Sequence, residues 1–309
     1  MSLSWILPAD AAPDRLDRAL AEAWGASRGA ARRAIDAGGV YVDGTRCRSA
    51  SRSVGPGARL EVEPDAEEAA ARGKEQIAAS PPVLVYRDRH VVLVDKPPGV
   101  PVSATRQTVH GSVEGWIKDQ GFAYVALHHR LDREAQGLLV VAVHKAANQG
   151  LARAFQDRRA RRTYRAVLLG RLEGQGIWEH DQVQRAGRRV AAPPGRGGQS
   201  MRSRWMALRP WGEDTLVRVE LDTGRTHQIR LQAAAVGHPV VGDRLYGGAE
   251  AGGLRLQAAR LELKHPVTGK PLVCDLPIPP SWGGHDEPPQ DVAPDPGDQG
   301  GAAEEGAEG

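Results

Sequence analysis

One carboxylate stands among cations in the run His129-Arg130-Leu131-Asp132-Arg133. Glu134-Ala135-Gln136-Gly137 follows, then the apolar stretch Leu138 to Val143, which reads as a buried strand. An acid in the turn before such a strand adds little to packing and suits general acid–base or nucleophilic work. Much further along, Gly224-Arg225-Thr226-His227-Gln228-Ile229-Arg230 supplies complementary cationic and amide groups. The plain alternative for Asp132 is a carboxylate that caps a turn. No metal-ligand cluster or phosphate-cradling glycine loop accompanies these segments.

Other elements must bring the two segments together. Between 81 and 282, apolar strands at Val83–Tyr86, Val91–Val94, Leu138–Val143 and Thr215–Leu221 mix with two helical stretches, Val113–Asp119 and Lys145–Phe155. Mixed strands with few helices predict an α+β fold. Residues 14–63 read as a separate compact unit. Leu16, Ala19, Leu20 and Ala23 recur at helical spacing after Asp14, a candidate cap, and Ser27 caps a second helix from Arg28 to Ala37. Val40-Tyr41-Val42 is a strand, Asp43-Gly44 a hairpin turn, and Arg59 to Val62 a closing strand. Residues 64–80 read as a linker that admits some helix, and 283–309 as a disordered acidic tail.

The tail hides how basic the rest is. The whole chain of 309 residues carries a net charge of +3, yet residues 283–309 hold eight acids and no Lys or Arg. Removing those eight from 38 leaves 30 acidic residues against 41 basic ones, an excess of 11. Arginine dominates the basic set, and such a surplus suits a polyanionic partner. Two cysteines, Cys47 and Cys274, cannot build a disulfide framework, so a reducing cytoplasm is the expected location. No run approaches the roughly 18 apolar residues of a membrane span, and no signal segment opens the chain.

On the second N-terminal helix Arg28, Arg32 and Arg33 form a basic stripe beside a short hairpin, a grip for a structured RNA backbone. Arg15-Leu16-Asp17-Arg18, Ser27-Arg28, Ala34-Ile35, Gly38 to Gly44 and Val54-Gly55-Pro56-Gly57 resemble, in order and spacing, the S4-type RNA-binding domain. That resemblance implies RNA binding rather than catalysis.

Residues 81–282 resemble the RluA-type pseudouridine synthases. The match is carried by Val94-Asp95-Lys96-Pro97-Pro98-Gly99, His129-Arg130-Leu131-Asp132 with Gly137-Leu138-Leu139, Arg162-Thr163-Tyr164, and Gly224 to Arg230. A weaker segment runs from Gly237 to Asp243 with Tyr246-Gly247, and from Leu256 to Pro266. The resemblance implies a mixed, mainly antiparallel central sheet flanked by helices and loops. It implies isomerisation of uridine to pseudouridine in structured RNA, without metal or cofactor. Asp132 matches the catalytic carboxylate, acting on the anomeric carbon or on a proton of the neighbouring sugar carbon. By the same resemblance Arg225 pairs with Asp132, and Tyr164 stacks on the base and takes part in deprotonating it. Arg130 matches the arginine that fills the place of the flipped nucleotide, with a phosphate contact as its alternative. His129, His227, Gln228 and Arg230 read as groups that hold the loop, orient Arg225 or touch RNA. Lys96-Pro97-Pro98-Gly99 reads as a rigid turn at the pocket rim.

Where the family has Thr-Ser, this chain has Ala135-Gln136, so the acid's loop must be braced differently. The arginine-rich stretch Gln184 to Arg204 reads as a mobile RNA-gripping loop or a solvated hairpin. The S4-type unit favours large-subunit ribosomal RNA as substrate. Transfer RNA is the alternative, as is a non-catalytic RNA-binding assembly factor; a hydrolase lacks its Gly-x-Ser-x-Gly nucleophile motif. A monomer is the simplest expectation.

Overall fold

A computed structural model of the chain describes residues 2–103, 111–248 and 252–283. From residue 284 onward, the segment expected to be a disordered tail lies outside the described residues.

The N-terminal part contains β1 (Leu3–Ile6), β2 (Asp14–Arg15), α1 (Leu16–Trp24), α2 (Arg28–Asp36), β3 (Val40–Val42), β4 (Thr45–Arg46), β5 (Ser53–Val54) and β6 (Arg59–Val62). A four-stranded sheet in the order β1-β6-β3-β4 buries Val40, Val42, Leu60 and Val62 with Leu16, Leu20, Ala31 and Ile35 of the two helices. Ser27 caps α2 by accepting from the Ala30 amide at 3.1 Å. Asp43 and Gly44 both take the left-handed conformation, at φ 51° and 73°, that a tight hairpin between β3 and β4 demands. The sheet of this unit extends upstream of residue 14, because β1 pairs with β6. One expectation needs correction. Asp14 does not cap α1; its carboxylate accepts from the Arg15 amide, and its strand pairs with β5.

The segment read as a linker is α3 (Ala66–Ala79), a 14-residue helix. Its buried face is Ala66, Ala70, Gly73 and Ile77, small enough for close approach on both sides. A Cβ at Gly39 would lie 2.3 Å from that of Ala66, and one at Gly111 would lie 2.6 Å from the Gly73 Cα. Ile77 joins the main core, and Gln76 Nε2 donates to the Gly99 carbonyl at 3.0 Å. Three of the four buried positions are Ala or Gly, so the helical period barely shows in hydropathy.

The main part adds β7 (Val83–Arg87), β8 (Val91–Lys96), α4 (Val113–Asp119), β9 (Ala126–Leu127), β10 (Gln136–Ala142), α5 (Asn148–Gln156), β11 (Arg161–Leu168), β12 (Gln175–Arg185), β13 (Arg188–Ala192), β14 (Gln199–Trp211), β15 (Asp214–Leu221), α6 (Gln228–Ala235), β16 (Leu256–Lys264) and β17 (Pro271–Asp275). Their 11-stranded sheet runs β13-β12-β14-β15-β11-β16-β10-β8-β7, with β17 beside β16 and β9 beside β10. Every pairing is antiparallel except β10 with β16. The middle strands are covered on both faces, which explains their unbroken apolar runs. Val92, Val94, Leu139 and Val141 pack with Ile117 of α4 and Ile229 of α6. Val91, Leu93, Leu138 and Val140 face the other way, onto Leu151 of α5. The stretch Gln184 to Arg204 is a strand hairpin, with β13 folded back on β12 and β14 following. Helix α6 was not foreseen, and it begins inside the Gly224–Arg230 motif. A second, short unit starts at Pro277 and holds a 3-10 turn at Pro280–Trp282. No described helix is long and apolar enough to cross a membrane.

Candidate active site

Asp132 sits in the loop between β9 and β10, and the groups that brace this loop are now visible. Lys96 ends β8 with its side chain fully buried. Its ammonium donates to the carbonyls of Pro97 (2.9 Å), Val100 (2.8 Å) and Arg133 (2.9 Å). Burial draws this lysine down to about 7, with the charges of Glu134 and Asp132 opposing. Gly99 adds a two-way clasp: its amide donates to the Arg133 carbonyl, and Arg133 Nε donates to its own carbonyl, both at 2.8 Å. On the other side His129 Nε2 accepts from the Val140 amide at 3.0 Å while its ring stacks on Phe155. Burial, helped by Arg162 and His128, pulls His129 down to about 3, so it is a neutral acceptor that braces the loop. Ala135 packs into the core, and Gly137, at φ 110°, lets β10 touch β16: a Cβ there would lie 2.3 Å from the Ala258 carbonyl oxygen. Backbone clasps and His129 thus hold a loop that lacks the Thr-Ser hydroxyls.

The cation beside Asp132 is Arg230, not Arg225. Arg230 is 6% exposed and lies in the first turn of α6, where helical side chains lean back toward the N-terminus. Its Nη1 is 3.6 Å from Asp132 Oδ2, while Nε and Nη2 bind the buried Asp243 bidentately at 2.7 and 2.8 Å. Arg225 precedes the helix, is exposed, and donates from Nε to the Ser200 carbonyl at 3.3 Å. The expected Arg225–Asp132 pair is therefore replaced, and Arg230 is an internal partner rather than a surface RNA contact.

His227 occupies the left-handed N-cap of α6 at φ 58°. Its Nε2 lies 3.9 Å from Asp132, and its Nδ1 is 2.9 Å from the Tyr246 hydroxyl. Burial lowers its pKa; Asp132 pulls the other way, while Arg230 and Arg189 reinforce the lowering, so the ring is neutral near pH 7. Tyr246 also receives Arg230 over its ring at 5.2 Å, and its amide donates to Asp243. Gln228 is buried and spent internally. Its oxygen accepts from Thr223 Oγ1 and the Arg225 amide, and its nitrogen donates to the Arg202 carbonyl and Ser203 Oγ. It shapes the turn carrying Arg225.

Tyr164, on β11 between β15 and β16, is 6% exposed. Burial raises its hydroxyl, Arg162 opposes, and the Asp132 charge adds to the rise. Such a phenol is neutral, better as a stacking face than as a base. A cleft of about 610 Å³ is lined by His128, His129, Arg130, Phe155, Arg162, Gly224 and Arg225 among others; Asp132 and Tyr164 are not part of its wall. A Cβ at Gly224 would lie 2.9 Å from Arg162 Nη1, so this glycine leaves room for that guanidinium. Arg130 and Arg225 are brought together here as exposed cations. Four contributors escaped the sequence: Asp243, Tyr246, Lys96 and Arg162 all stand in quoted motifs, but only the fold reveals their partners.

The N-terminal arginines lie elsewhere, and they are not simply free. Asp17 is completely buried, and Arg15, Arg28 and Arg32 converge on it at 3.1, 3.0 and 3.2 Å. Burial alone would raise the Asp17 carboxyl; hydrogen bonds from Arg15 and Arg28 outweigh it and hold it below the usual range. Arg33 pairs with Glu67 of α3 at 2.9 Å. Three guanidiniums on one acid form a fixed array that still carries net positive charge.

One group of metal-ligand type occurs among the described residues: Asp88, His90 and His265. Hydrogen bonding consumes His265 and the acid. His265 Nε2 donates to Asp88 at 2.8 Å and its Nδ1 accepts from the Val267 and Thr268 amides. Asp88 also accepts from the His90 and Val91 amides and Tyr86. The cluster ties the β7–β8 turn to the turn after β16.

Residues 90–235 match the RNA pseudouridylate synthase family and residues 14–60 the S4 domain. The chain is 31% identical over 246 residues to an uncharacterised RNA pseudouridine synthase of Aquifex aeolicus, covering 76% of this chain and 77% of that protein. It is 31% identical over 220 residues to ribosomal large subunit pseudouridine synthase D of Nitrosomonas europaea, covering 66% of this chain and 64% of that one. Among solved structures, human RNA pseudouridylate synthase domain containing 1 superposes with a TM-score of 0.56 at 25% identity, over 65% of this chain and 86% of that one.

Proposed function

The chain belongs to the family of RNA pseudouridine synthases, and from that premise we propose that it isomerises uridine in ribosomal large-subunit RNA with Asp132 as the catalytic carboxylate. The observation that carries this reading is the placement of Asp132: a braced acid beside the buried Arg230–Asp243 pair. Breaking the C1′–N1 bond, turning the base, forming the C1′–C5 bond, releasing the C5 proton and protonating N1 leaves composition and oxidation state unchanged. Whether the acid attacks C1′ or removes a proton from the neighbouring sugar carbon, it must work as an anion, and Arg230 supplies the counter-charge away from bulk water.

Tyr164 offers its ring to the base, a contact worth about 1–3 kcal/mol. Arg130, exposed two residues before the acid, fills the space that the target nucleotide leaves when it is turned out, at a cost of a few kcal/mol, roughly, in the RNA. Arg225 contacts RNA at the cleft rim, and the Asp17-centred array of Arg15, Arg28 and Arg32 grips phosphates at a distance. Ribosomal RNA is favoured over transfer RNA because an S4 unit accompanies the catalytic part and because the Nitrosomonas relative carries that name. The free thiols Cys47 and Cys274 accord with action in a reducing cytoplasm. Mapping pseudouridines in ribosomal and transfer RNA from cells with and without the protein tests the substrate. Loss of a large-subunit site is expected; loss confined to transfer RNA would overturn the assignment.

A further inference from the structure

The cleft walled by Arg130 and Arg225 does not end at those residues. One of its wall residues, Arg158, also lines a neighbouring groove of about 540 Å³, whose other walls include Arg153, Arg159, Arg161, Lys264 and His265. The cations come from three segments: the last turn of α5, the turn into β11, and the end of β16. All five Arg and Lys side chains are exposed. Arg159 pairs with Asp157, whereas Arg153, Arg158, Arg161 and Lys264 have no ion pair among the described residues.

Like charges gathered on one surface repel, and nothing in the reaction at Asp132 requires them there. The groove's walls are nonetheless rigid. A Cβ at Gly150 would sit 2.5 Å from the Pro266 carbonyl oxygen, so α5 seats directly on the turn after β16, and the Asp88–His265 hydrogen bond fixes that turn from below. Arg158 itself takes φ 58°, a conformation uncommon outside glycine and asparagine, and it lines both cavities. Exposed guanidiniums, most of them without an ion pair, in a groove without a Phe, Tyr or Trp wall suit phosphates rather than bases.

Resting on the isomerase reading for its substrate, we propose that this groove is a second RNA site, which holds the phosphodiester backbone flanking the target nucleotide without regard to sequence. Arg158 is the link that passes the strand from the cleft to the groove. The S4 array and this groove then engage separate stretches of one RNA.

The test uses the full chain with Arg153→Gln, Arg161→Gln and Lys264→Gln combined. These exposed side chains leave the core intact, and an unchanged thermal midpoint checks that. Affinity for an in-vitro transcript of large-subunit ribosomal RNA is measured from 50 to 400 mM salt, alongside a non-cognate RNA of equal length. Loss of three phosphate contacts should make the slope of log affinity against log salt shallower by about 2 and weaken binding about tenfold at moderate salt, for both RNAs. At sub-saturating transcript, pseudouridine formation by the variant should fall in step with its affinity. A parental slope and affinity would overturn the groove, and a loss confined to the cognate RNA would overturn its sequence independence. A parent that shows the full salt slope yet forms no pseudouridine would refute the isomerase reading and leave the groove standing.

Discussion

Arg230 is shared by two carboxylates of unequal standing. Asp243 is 1% exposed and takes the guanidinium's bidentate edge at 2.7 and 2.8 Å, leaving Nη1 to face Asp132 at 3.6 Å. The buried acid fixes the cation so that Asp132 has a counter-charge without being saturated by it. A lysine there cannot bridge both partners. Arg230→Lys should therefore cost about 3 kcal/mol of transition-state stabilisation, a roughly hundredfold fall in kcat, as a disrupted buried pair implies. Arg225→Lys should instead raise KM and spare kcat, and steady-state kinetics on a substrate transcript separate the two. The candidacy of Asp132, Tyr164 and Arg130 was legible, because motif order singled them out. Which arginine meets the acid was not, because that depends on where α6 begins and on Asp243, which arrives from beyond the helix.

The elements around the site owe their positions to a few close contacts. Lys96 supplies three carbonyls with a donor in a place water does not reach. Lys96→Met keeps the stem but strands those oxygens, so stability should fall by about 2–3 kcal/mol, read as a lower urea midpoint, with activity lost in parallel. Gly137→Ala should also destabilise the enzyme by about 1–3 kcal/mol, because both its positive φ and the Ala258 backbone oppose a methyl group. Strands such as β8 and β10 were readable from β-branched apolar runs bounded by turn residues. Helix α3 was not, since its contact face is alanine and glycine, whose value lies in close approach rather than hydrophobicity. Helix α6 was hidden by its own motif, where buried Gln228, Arg230 and Gln232 make a core face look polar.

At the scale of the whole molecule, α3 joins the N-terminal unit to the main core, through Ala66 under Gly39 at one end and Ile77 at the other. Acid should loosen this assembly in a defined range. In Asp17 and Asp88 burial alone would raise the carboxyl; hydrogen bonds from Arg15 and Arg28, and from the Val91 and His90 amides, outweigh it and lower both below 3.8. A depressed carboxylate contributes stability that is present above its unfolded value and lost as pH falls through the folded one. Urea midpoints should therefore drop below about pH 3.8, and Asp17→Asn should lower the midpoint at pH 6 while making that acid loss shallower. The most direct measurement of all compares purified parent and Asp132→Asn on one unmodified large-subunit ribosomal RNA transcript, scoring both pseudouridine formed and RNA affinity. The expected result is no detectable pseudouridine from the variant with near-parental affinity. Equal pseudouridine from variant and parent would contradict the role of Asp132.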